Sequence, residues 1–303
     1  MKNTKPKVRL WSVLTGLTAI LTVAAIVGNI IANQYATTIN VALNASTYKI
    51  IHGENTGDTE YFKKGFASDE EREAYEAELC ATVEAEGAAL LKNENNALPL
   101  ASGAKVSLFG HGSVDLMYGG TGSGSVDTSK APNLKQALEA QGITINQTLW
   151  DLYSSDSMMS KYSRLTPASI SDTLEANTQY AVNEAPWSAL SSAESSFAEY
   201  GDAAIVVLSR SGGEGADLPS GENGTSDNWI SGQEGDGNYL ALSAEEIELL
   251  QNLKALKDNG TFKKIVVLIN SSNAIELDFL NPEICGEDYG IDAAMWIGDV
   301  GQT

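Results

Sequence analysis

Residues 243–272, SAEEIELLQNLKALKDNGTFKKIVVLINSS, are enough to predict the fold class. The first half has the signals of an amphipathic helix, because Ser243 and Glu246 can form a capping box and Gly260 can end the helix. The second half contains the apolar run KIVVLINSS (264–272), which is typical of a strand buried on both faces of a sheet. A helix followed at once by such a strand predicts an α/β fold with a mostly parallel sheet.

Similar apolar runs and one more helix-like segment occur elsewhere in the chain. The runs are VSLFG (106–110), ITIN (143–146), AAIVVLS (203–209) and IDAAMWIG (291–298), and the helix-like segment is PNLKQALEAQG (132–142). Alternation of such segments predicts one domain over residues 67–303, with helices on both faces of the sheet. The last run is followed by neither a helix nor an obvious partner strand, so we expect this domain to be incomplete at its C-terminus.

A further helix is predicted at the start of this domain. Ser68 and Glu71 can form a second capping box. The apolar positions on one helical face are Tyr75, Leu79, Val83 and Leu90. Cys80 falls among them and is expected to be a buried free thiol, since Cys80 and Cys285 form no recognisable disulfide framework.

The N-terminal region is predicted to be a membrane anchor. Residues 1–9 form a basic tip, and residues 10–32 carry no charge. About 20 helical residues cross the hydrocarbon core of a bilayer, and the preceding positive charges predict a cytosolic N-terminus. Residues 33–66 are polar and are interpreted as a stalk. We therefore expect a single-pass protein with its domain outside the cytosol. A cleaved signal peptide is the alternative, although its apolar region usually has only about 7–15 residues.

The charge distribution excludes one class of partner. The 303 residues include 40 acidic and 19 basic ones, a net charge of −21, and the chain beyond residue 9 carries 15 basic and 40 acidic residues, a difference of −25. Such an acidic body repels phosphate backbones, so no nucleic-acid partner is predicted. With only two histidines and two cysteines, neither a His/Cys metal site nor a cofactor is predicted.

The loop after residues 106–110 is rich in glycine and contains GGTGSG (119–124). In an open α/β sheet, ligands bind at the carboxyl ends of the strands, where this loop is expected to lie. A nucleotide-binding domain is a weak alternative here, because its fingerprint needs a tight strand-to-helix turn and this loop runs for about 20 residues. The other interpretation is that the glycines let the backbone approach a neighbour or a ligand closely.

The loop after residues 203–209 carries the candidate catalytic residue. Glu214 lies five residues beyond that run, between two glycines, and could act as a general acid/base if burial raised its pKa. The alternative is an ordinary solvated carboxylate. Trp229 and Tyr239 in the same loop could stack on sugar rings or simply pack the loop.

Several segments, taken together, resemble glycoside hydrolase family 3. The resemblance is to its α/β-sandwich domain, conventionally the C-terminal one, and runs from about Glu86 to the end of the chain. The segments are EGAALLKNENNALPL (86–100), VSLFGHGSVDLMYGGTGSGSVDTSKAPNLKQAL (106–138), VVLSRSGGEGADLP (206–219), YLALS-EE-LL (239–250), VVLINSSNAIEL (266–277) and IDAAMWIGDVGQ (291–302).

The resemblance implies roles for individual residues. The GEG motif carries the acid/base glutamate in many β-glucosidases of this family, and Glu214 occupies that position. Asp217 matches an acid just beyond the motif, and Leu218 stands where many members have Arg. Arg210, Asp217 and Trp229 are expected to bind substrate.

The resemblance also implies a partner domain. In this family the nucleophile is an aspartate on a (β/α)8 barrel, and retaining hydrolysis needs two carboxylates about 5–5.5 Å apart. We therefore expect this chain to supply one carboxylate of a β-glucoside-hydrolysing enzyme and to be inactive alone, with the barrel downstream or in trans. The alternative is a non-catalytic, surface-displayed module that binds carbohydrate or another partner.

Overall fold

A computed structural model describes residues 5–43, 45, 64–166, 180–214 and 239–302. The chain divides into two compact units, residues 1–65 and 66–303. The first unit contains helix α1 (Lys5–Gln34) and helix α2 (Ala36–Ala42). Part of the predicted stalk is therefore helical, and most of the remainder lies outside the described residues.

Helix α1 is apolar along most of its length. The segment Leu10–Gln34 is long and apolar enough to cross a membrane, and its large side chains are exposed in the structure. The apolar helix predicted at residues 10–32 is therefore confirmed. A helix that is apolar on all sides is typical of a buried or membrane-spanning segment. A signal sequence near an N-terminus can meet the same criteria of length and composition, so these criteria do not distinguish an anchor from a signal peptide.

The second unit is a six-stranded sheet covered by helices on both faces. The strands lie in the order β1-β6-β5-β4-β2-β3, and every neighbouring pair is parallel except β1 and β6. They are β1 (Ala89–Asn93), β2 (Lys105–Phe109), β3 (Thr144–Ile145), β4 (Ala203–Arg210), β5 (Ile265–Ser271) and β6 (Ala293–Trp296). The prediction of an α/β fold with a mostly parallel sheet is confirmed.

Six α-helices of the second unit fall within the described residues. They are α3 (Asp69–Gly87), α4 (Leu134–Ala140), α5 (Gln147–Tyr153), α6 (Asp156–Tyr162), α7 (Ala244–Asp258) and α8 (Pro282–Cys285). The capping box of Ser243 and Glu246 at the start of α7 is confirmed. A further capping box, which the sequence analysis missed, starts α4 with Asn133 and Gln136.

Strand β4 lies near the middle of the sheet and is buried over its whole length. Alternate side chains of this strand enter two different cores, because successive residues of a strand point to opposite faces. Ala204, Val206 and Leu208 enter a core that includes Leu249, Leu250 and Leu253 of α7. Ala203, Ile205 and Val207 enter a second core with Leu108 and Leu134. Two covered faces explain why this strand is a continuous apolar run.

The last strand has a partner in the sheet that was not predicted. Strand β6 lies between β5 and β1, and Ala89 pairs with Trp296 in the antiparallel register of β1 and β6. Leu90, which was predicted to continue the first helix of the domain, lies in β1 instead. The backbone of Ala88 is extended, with φ −62° and ψ 133°, so helix α3 ends at Gly87.

Helix α3 departs from the prediction in its burial. Ser68 caps it as predicted and accepts a hydrogen bond from the Glu71 N–H at 3.2 Å. The structure describes all 19 residues of α3, and none of them is buried. Cys80 is a free and exposed thiol, so the prediction that it is buried is wrong. The apolar face of α3 does not pack against the sheet, which is why Cys80 remains accessible.

Candidate active site

The loops after β2, β4, β5 and β6 lie at one edge of the sheet, because these parallel strands end there. Asn270 near the end of β5 is fully buried and joins two of these loops. The Asn270 side chain accepts a hydrogen bond from Met117 N at 2.6 Å and donates to Met117 O at 3.0 Å and Gly298 O at 2.7 Å. This side chain thereby fixes the loops after β2 and β6 relative to each other.

Glu214 lies at this edge, four residues after the last residue of β4, and is exposed. The Glu214 carboxylate accepts hydrogen bonds from Ser123 N at 2.9 Å and from the Ser123 hydroxyl. These two bonds stabilise the ionised form and hold the pKa of Glu214 below its usual range. The structure therefore presents Glu214 as an ionised carboxylate held by a residue of the Gly-rich loop.

The backbones of these two loops are also paired. Thr121 N donates to Gly212 O at 3.2 Å, and the Thr121 hydroxyl donates to Glu214 O at 3.3 Å. A Cβ on Gly213 would overlap the backbone N and hydroxyl of Thr121. Gly122 has φ +68°, and a Cβ there would lie 2.8 Å from the Cβ of Glu214. The interpretation of the Gly-rich loop as a close approach to a neighbour is confirmed, and the neighbour is Glu214.

Arg210, a predicted substrate-binding residue, is buried with 0 % exposure. The guanidinium donates two bonds to Glu246, one to each carboxylate oxygen, both at 2.7 Å. The remaining bonds go to the carbonyl oxygens of Ser209, Tyr239 and Ala241. All five N–H groups of Arg210 are thus bonded within the protein. A sugar could reach this side chain only if one of these bonds opened.

Tyr239 lies at the far end of the same loop and is 2 % exposed. The Tyr239 hydroxyl accepts a bond from Ser211 N at 2.8 Å and donates to Ser211 O at 3.0 Å. Of the two interpretations of Tyr239, packing of the loop is confirmed. Asp217 and Trp229 lie outside the described residues.

Glu184 is a carboxylate that the sequence analysis missed. The side chain is buried, and burial raises the pKa of Glu184 to about 7, although hydrogen bonds from His111 N at 2.6 Å and Ala185 N at 2.9 Å favour ionisation. With 6 % exposure, this carboxyl group is enclosed beneath the loop after β2. Nothing in the surrounding sequence distinguishes Glu184 from other acids, because its burial depends on distant residues.

A second charged cluster supports the start of the same loop. The His111 Nε2 lies 3.3 Å from an oxygen of Asp115, and Arg164 lies 3.0 Å from that same oxygen. Burial would raise the pKa of Asp115, but the hydrogen bond with His111 and the charge of Arg164 together lower it. Among the described residues, no three His, Cys, Asp or Glu side chains are grouped so as to hold a metal ion.

This fold, with a glutamate between glycines at the carboxyl edge of the sheet, is the α/β sandwich of a glycoside hydrolase domain. Residues 88–303 match the model of the glycosyl hydrolase family 3 C-terminal domain. The chain therefore belongs to glycosyl hydrolase family 3, and the predicted resemblance is confirmed.

Two curated relatives are β-glucosidases. β-Glucosidase A of Butyrivibrio fibrisolvens is 34 % identical over 146 residues, which cover 46 % of this chain and 15 % of that protein. The β-glucosidase of Ruminococcus albus is 28 % identical over 227 residues, which cover 75 % of this chain and 20 % of that protein. The chain thus spans a fifth or less of the length of these relatives.

Solved β-glucosidase structures share the fold. The enzyme of Paenibacillus barengoltzii has a TM-score of 0.52 and 25 % identity over 75 % of this chain and 21 % of that one. β-Glucosidase 3B of Thermotoga neapolitana, solved with glucose, has a TM-score of 0.53 and 22 % identity over 77 % of this chain and 28 % of that one.

Proposed function

We propose that this chain is the sandwich domain of a retaining glycosidase that acts on β-glucosides or short oligosaccharides, with Glu214 as its general acid/base. The observation that carries this proposal is the exposed Glu214 carboxylate, which a separate loop holds at the carboxyl edge of the sheet through Ser123. Ligands of open α/β sheets bind at this edge. The β-glucosidases among the relatives support the choice of substrate class.

The second carboxylate of the reaction is proposed to come from outside residues 1–303. Retaining hydrolysis places a nucleophile about 5–5.5 Å from the acid/base, across the glycosidic bond. We assign this role to an aspartate on a (β/α)8 barrel, in a longer polypeptide or in trans. The 303-residue chain alone is then expected to be inactive.

The protonation of Glu214 changes during such a reaction. The first step needs a protonated acid, whereas the second step needs a carboxylate that takes a proton from water. In the exposed site, the hydrogen bonds from Ser123 lower the pKa of Glu214 and favour the carboxylate. We propose that the barrel and the sugar cover Glu214 and exclude water, which would raise its pKa before the first step. Asp217 and Trp229 are proposed to contact the sugar.

The test is Glu214→Gln in a protein that contains this chain and the barrel. Activity should fall most on aryl β-glucosides with poor leaving groups, because a general acid matters least when the aglycone leaves readily. Glu139→Gln is a matched control, since Glu139 is an exposed glutamate on α4. Equal losses on good and poor leaving groups would remove Glu214 from the acid role.

A non-catalytic carbohydrate-binding module is the second candidate function. The observation that favours it is the ionised, exposed state of Glu214 in this chain, which suits hydrogen bonding to sugar hydroxyls better than proton donation. Calorimetric titration of the 303-residue chain with glucose and cellobiose tests this function. Binding that Glu214→Gln abolishes, together with inactivity in the presence of the barrel, would favour the module.

We propose that residues 10–32 anchor the protein in a membrane, with the second unit on the extracytoplasmic side. The apolar helix and the basic tip before it support this arrangement. Deletion of residues 1–32 should move the protein from the membrane fraction to the soluble fraction. A mature chain whose first residue lies beyond residue 32 would instead identify a cleaved signal peptide.

A further inference from the structure

We propose that Tyr239 is a positioning residue for Glu214, supported by the buried pair of Arg210 and Glu246. In this arrangement Tyr239 closes the loop after β4 at its base and thereby holds Glu214 against Ser123. The catalytic meaning of this inference rests on the proposed function, whereas the positioning itself can be tested without activity.

The first part of the argument is the closure of the loop. Ser211 is the first residue after β4, and Tyr239 lies 28 residues further along the chain. One hydroxyl, that of Tyr239, bonds both the N–H and the carbonyl oxygen of Ser211. Glu214 lies between these two residues, three positions after Ser211. The two ends of the segment that carries Glu214 therefore meet at a single buried side chain.

The second part is the attachment of this closure to rigid elements. Arg210 is the last residue of β4, and Glu246 belongs to the capping box at the start of α7. Arg210 bonds both the Glu246 carboxylate and the carbonyl oxygen of Tyr239, the latter at 2.8 Å. The backbone of Tyr239 is therefore bonded to Arg210 at the end of β4, and Glu246 at the start of α7 holds Arg210 in place. Sites held by helices and strands are more precise than sites held by loops alone.

The third part is a direct path from Tyr239 to the Gly-rich loop. The rings of Tyr239 and Tyr180 lie 5.9 Å apart, and both belong to a small apolar cluster separate from the two main cores. The Tyr180 hydroxyl lies 3.1 Å from the Thr121 hydroxyl. Thr121 pairs with Gly212, and Ser123, two residues later, bonds Glu214. Tyr239 therefore supports both sides of the contact between Glu214 and Ser123.

The position of Glu214 depends on this support because the residue is exposed and follows two glycines. A displacement of about 1 Å at a reacting group can lower the rate about 100-fold. The closure by Tyr239 restricts the backbone on one side of Glu214, and the pairing of Thr121 with Gly212 aligns the other loop.

The experiment compares Tyr239→Phe with Tyr153→Phe in the full chain in detergent micelles. Both variants remove a buried tyrosine hydroxyl that bonds a backbone N–H, since Tyr153 bonds Gly110 N at 3.1 Å. Hydrogen exchange measured by mass spectrometry reports on the N–H groups of Thr121 and Ser123. Carbon-13 NMR titration reports the pKa of Glu214.

We expect Tyr239→Phe to accelerate exchange at Thr121 and Ser123 by about tenfold or more and to raise the pKa of Glu214, whereas Tyr153→Phe changes neither. Unchanged exchange and an unchanged pKa in Tyr239→Phe, or equal changes in both variants, would overturn the inference. If Tyr239→Phe does not fold, Tyr180→Phe removes only the bond to Thr121 and should accelerate exchange at Thr121. Unchanged exchange at Thr121 in Tyr180→Phe would then overturn the inference.

Activity provides the readout that depends on the proposed function. With the barrel present, Tyr239→Phe should lower kcat on an aryl β-glucoside by about 10- to 100-fold and leave KM within about twofold. If Glu214→Gln has no effect on activity while Tyr239→Phe still changes exchange at Ser123, the proposed function fails and the positioning stands.

Discussion

The Arg210 guanidinium and the Glu246 carboxylate form a buried two-point ion pair, with both N–O distances at 2.7 Å. Their side chains are 0 % and 2 % exposed, respectively. The attraction between two buried charges offsets the free energy lost on removing them from water only when their remaining donors and acceptors are also hydrogen-bonded. Three carbonyl oxygens complete the partners of Arg210, and Ser243 N donates to Glu246 at 2.8 Å. The pair can therefore join the end of β4 to the start of α7.

Breaking this pair should destabilise the domain. Arg210→Met leaves the Glu246 carboxylate buried without its charge partner, and we expect the free energy of unfolding to fall by about 3–5 kcal/mol. Lys254→Met is the control, because Lys254 pairs with the exposed Asp258. The free energy of unfolding of this variant should fall by less than about 1 kcal/mol. Denaturant titration of both variants measures the difference. Similar small losses in the two variants would show that the buried pair contributes little.

Removal of the Ser123 hydroxyl should raise the pKa of Glu214. The side-chain bond from Ser123 is the largest cause of the lowered pKa, and Ser123→Ala removes that bond while keeping the backbone N–H. Carbon-13 NMR titration of the Glu214 carboxyl group checks this expectation. Ser125→Ala, a change to an exposed serine two residues away, is the control. Equal pKa values of Glu214 in the two variants would contradict the assignment of Ser123 as the partner.

A side chain at Gly213 should separate the two loops. Gly213→Ala places a methyl group on the backbone N and hydroxyl of Thr121, and such overlap typically costs about 1–3 kcal/mol. Gly124→Ala is the control, because a Cβ at Gly124 meets no atom within 4 Å. Denaturant titration and hydrogen exchange at Thr121 check the expectation. A Gly213→Ala variant that is as stable as Gly124→Ala, with unchanged exchange, would contradict the close approach of the loops.

Glu184 should make the stability of the domain depend on pH. The pKa of Glu184 is about 7 in the folded protein because of burial, whereas that of a solvated glutamate is about 4.3. Between these pH values the unfolded chain has lost a proton that the folded chain retains, so stability falls as pH rises. The free energy of unfolding should fall by about 4 kcal/mol across this window, since each pKa unit corresponds to about 1.4 kcal/mol.

Glu184→Gln isolates this contribution. The variant loses some hydrogen bonding at every pH, but its stability relative to the unchanged protein should improve as pH rises from about 4.5 to about 7. Denaturant titrations at several pH values measure this difference. A difference that stays constant across the window would mean that Glu184 titrates normally.

The order of the main strands and helices could be predicted from the sequence, because it depends on nearby residues. The continuous apolar run at 203–209 and the caps at Ser243 and Glu246 identify β4 and α7 from local periodicity and hydrogen-bonding groups. The location of Glu214 at the edge of the sheet could also be predicted from the sequence, since Glu214 comes four residues after the end of a buried strand. Strand β1 was missed because its partner, β6, lies far along the chain.

The sequence by itself thus determined the α/β class, the apolar N-terminal helix and the loop that carries Glu214. Only the tertiary structure decided the environments of the charged residues. Glu214 is bonded to a residue 91 positions away, Arg210 to one 36 positions away, and Glu184 is enclosed by the loop after β2. Burial and charge partners set pKa values and accessibility, and both arise from contacts between distant segments. Local sequence patterns predict that loops lie at the same edge of the sheet, but they do not identify which of their residues come into contact.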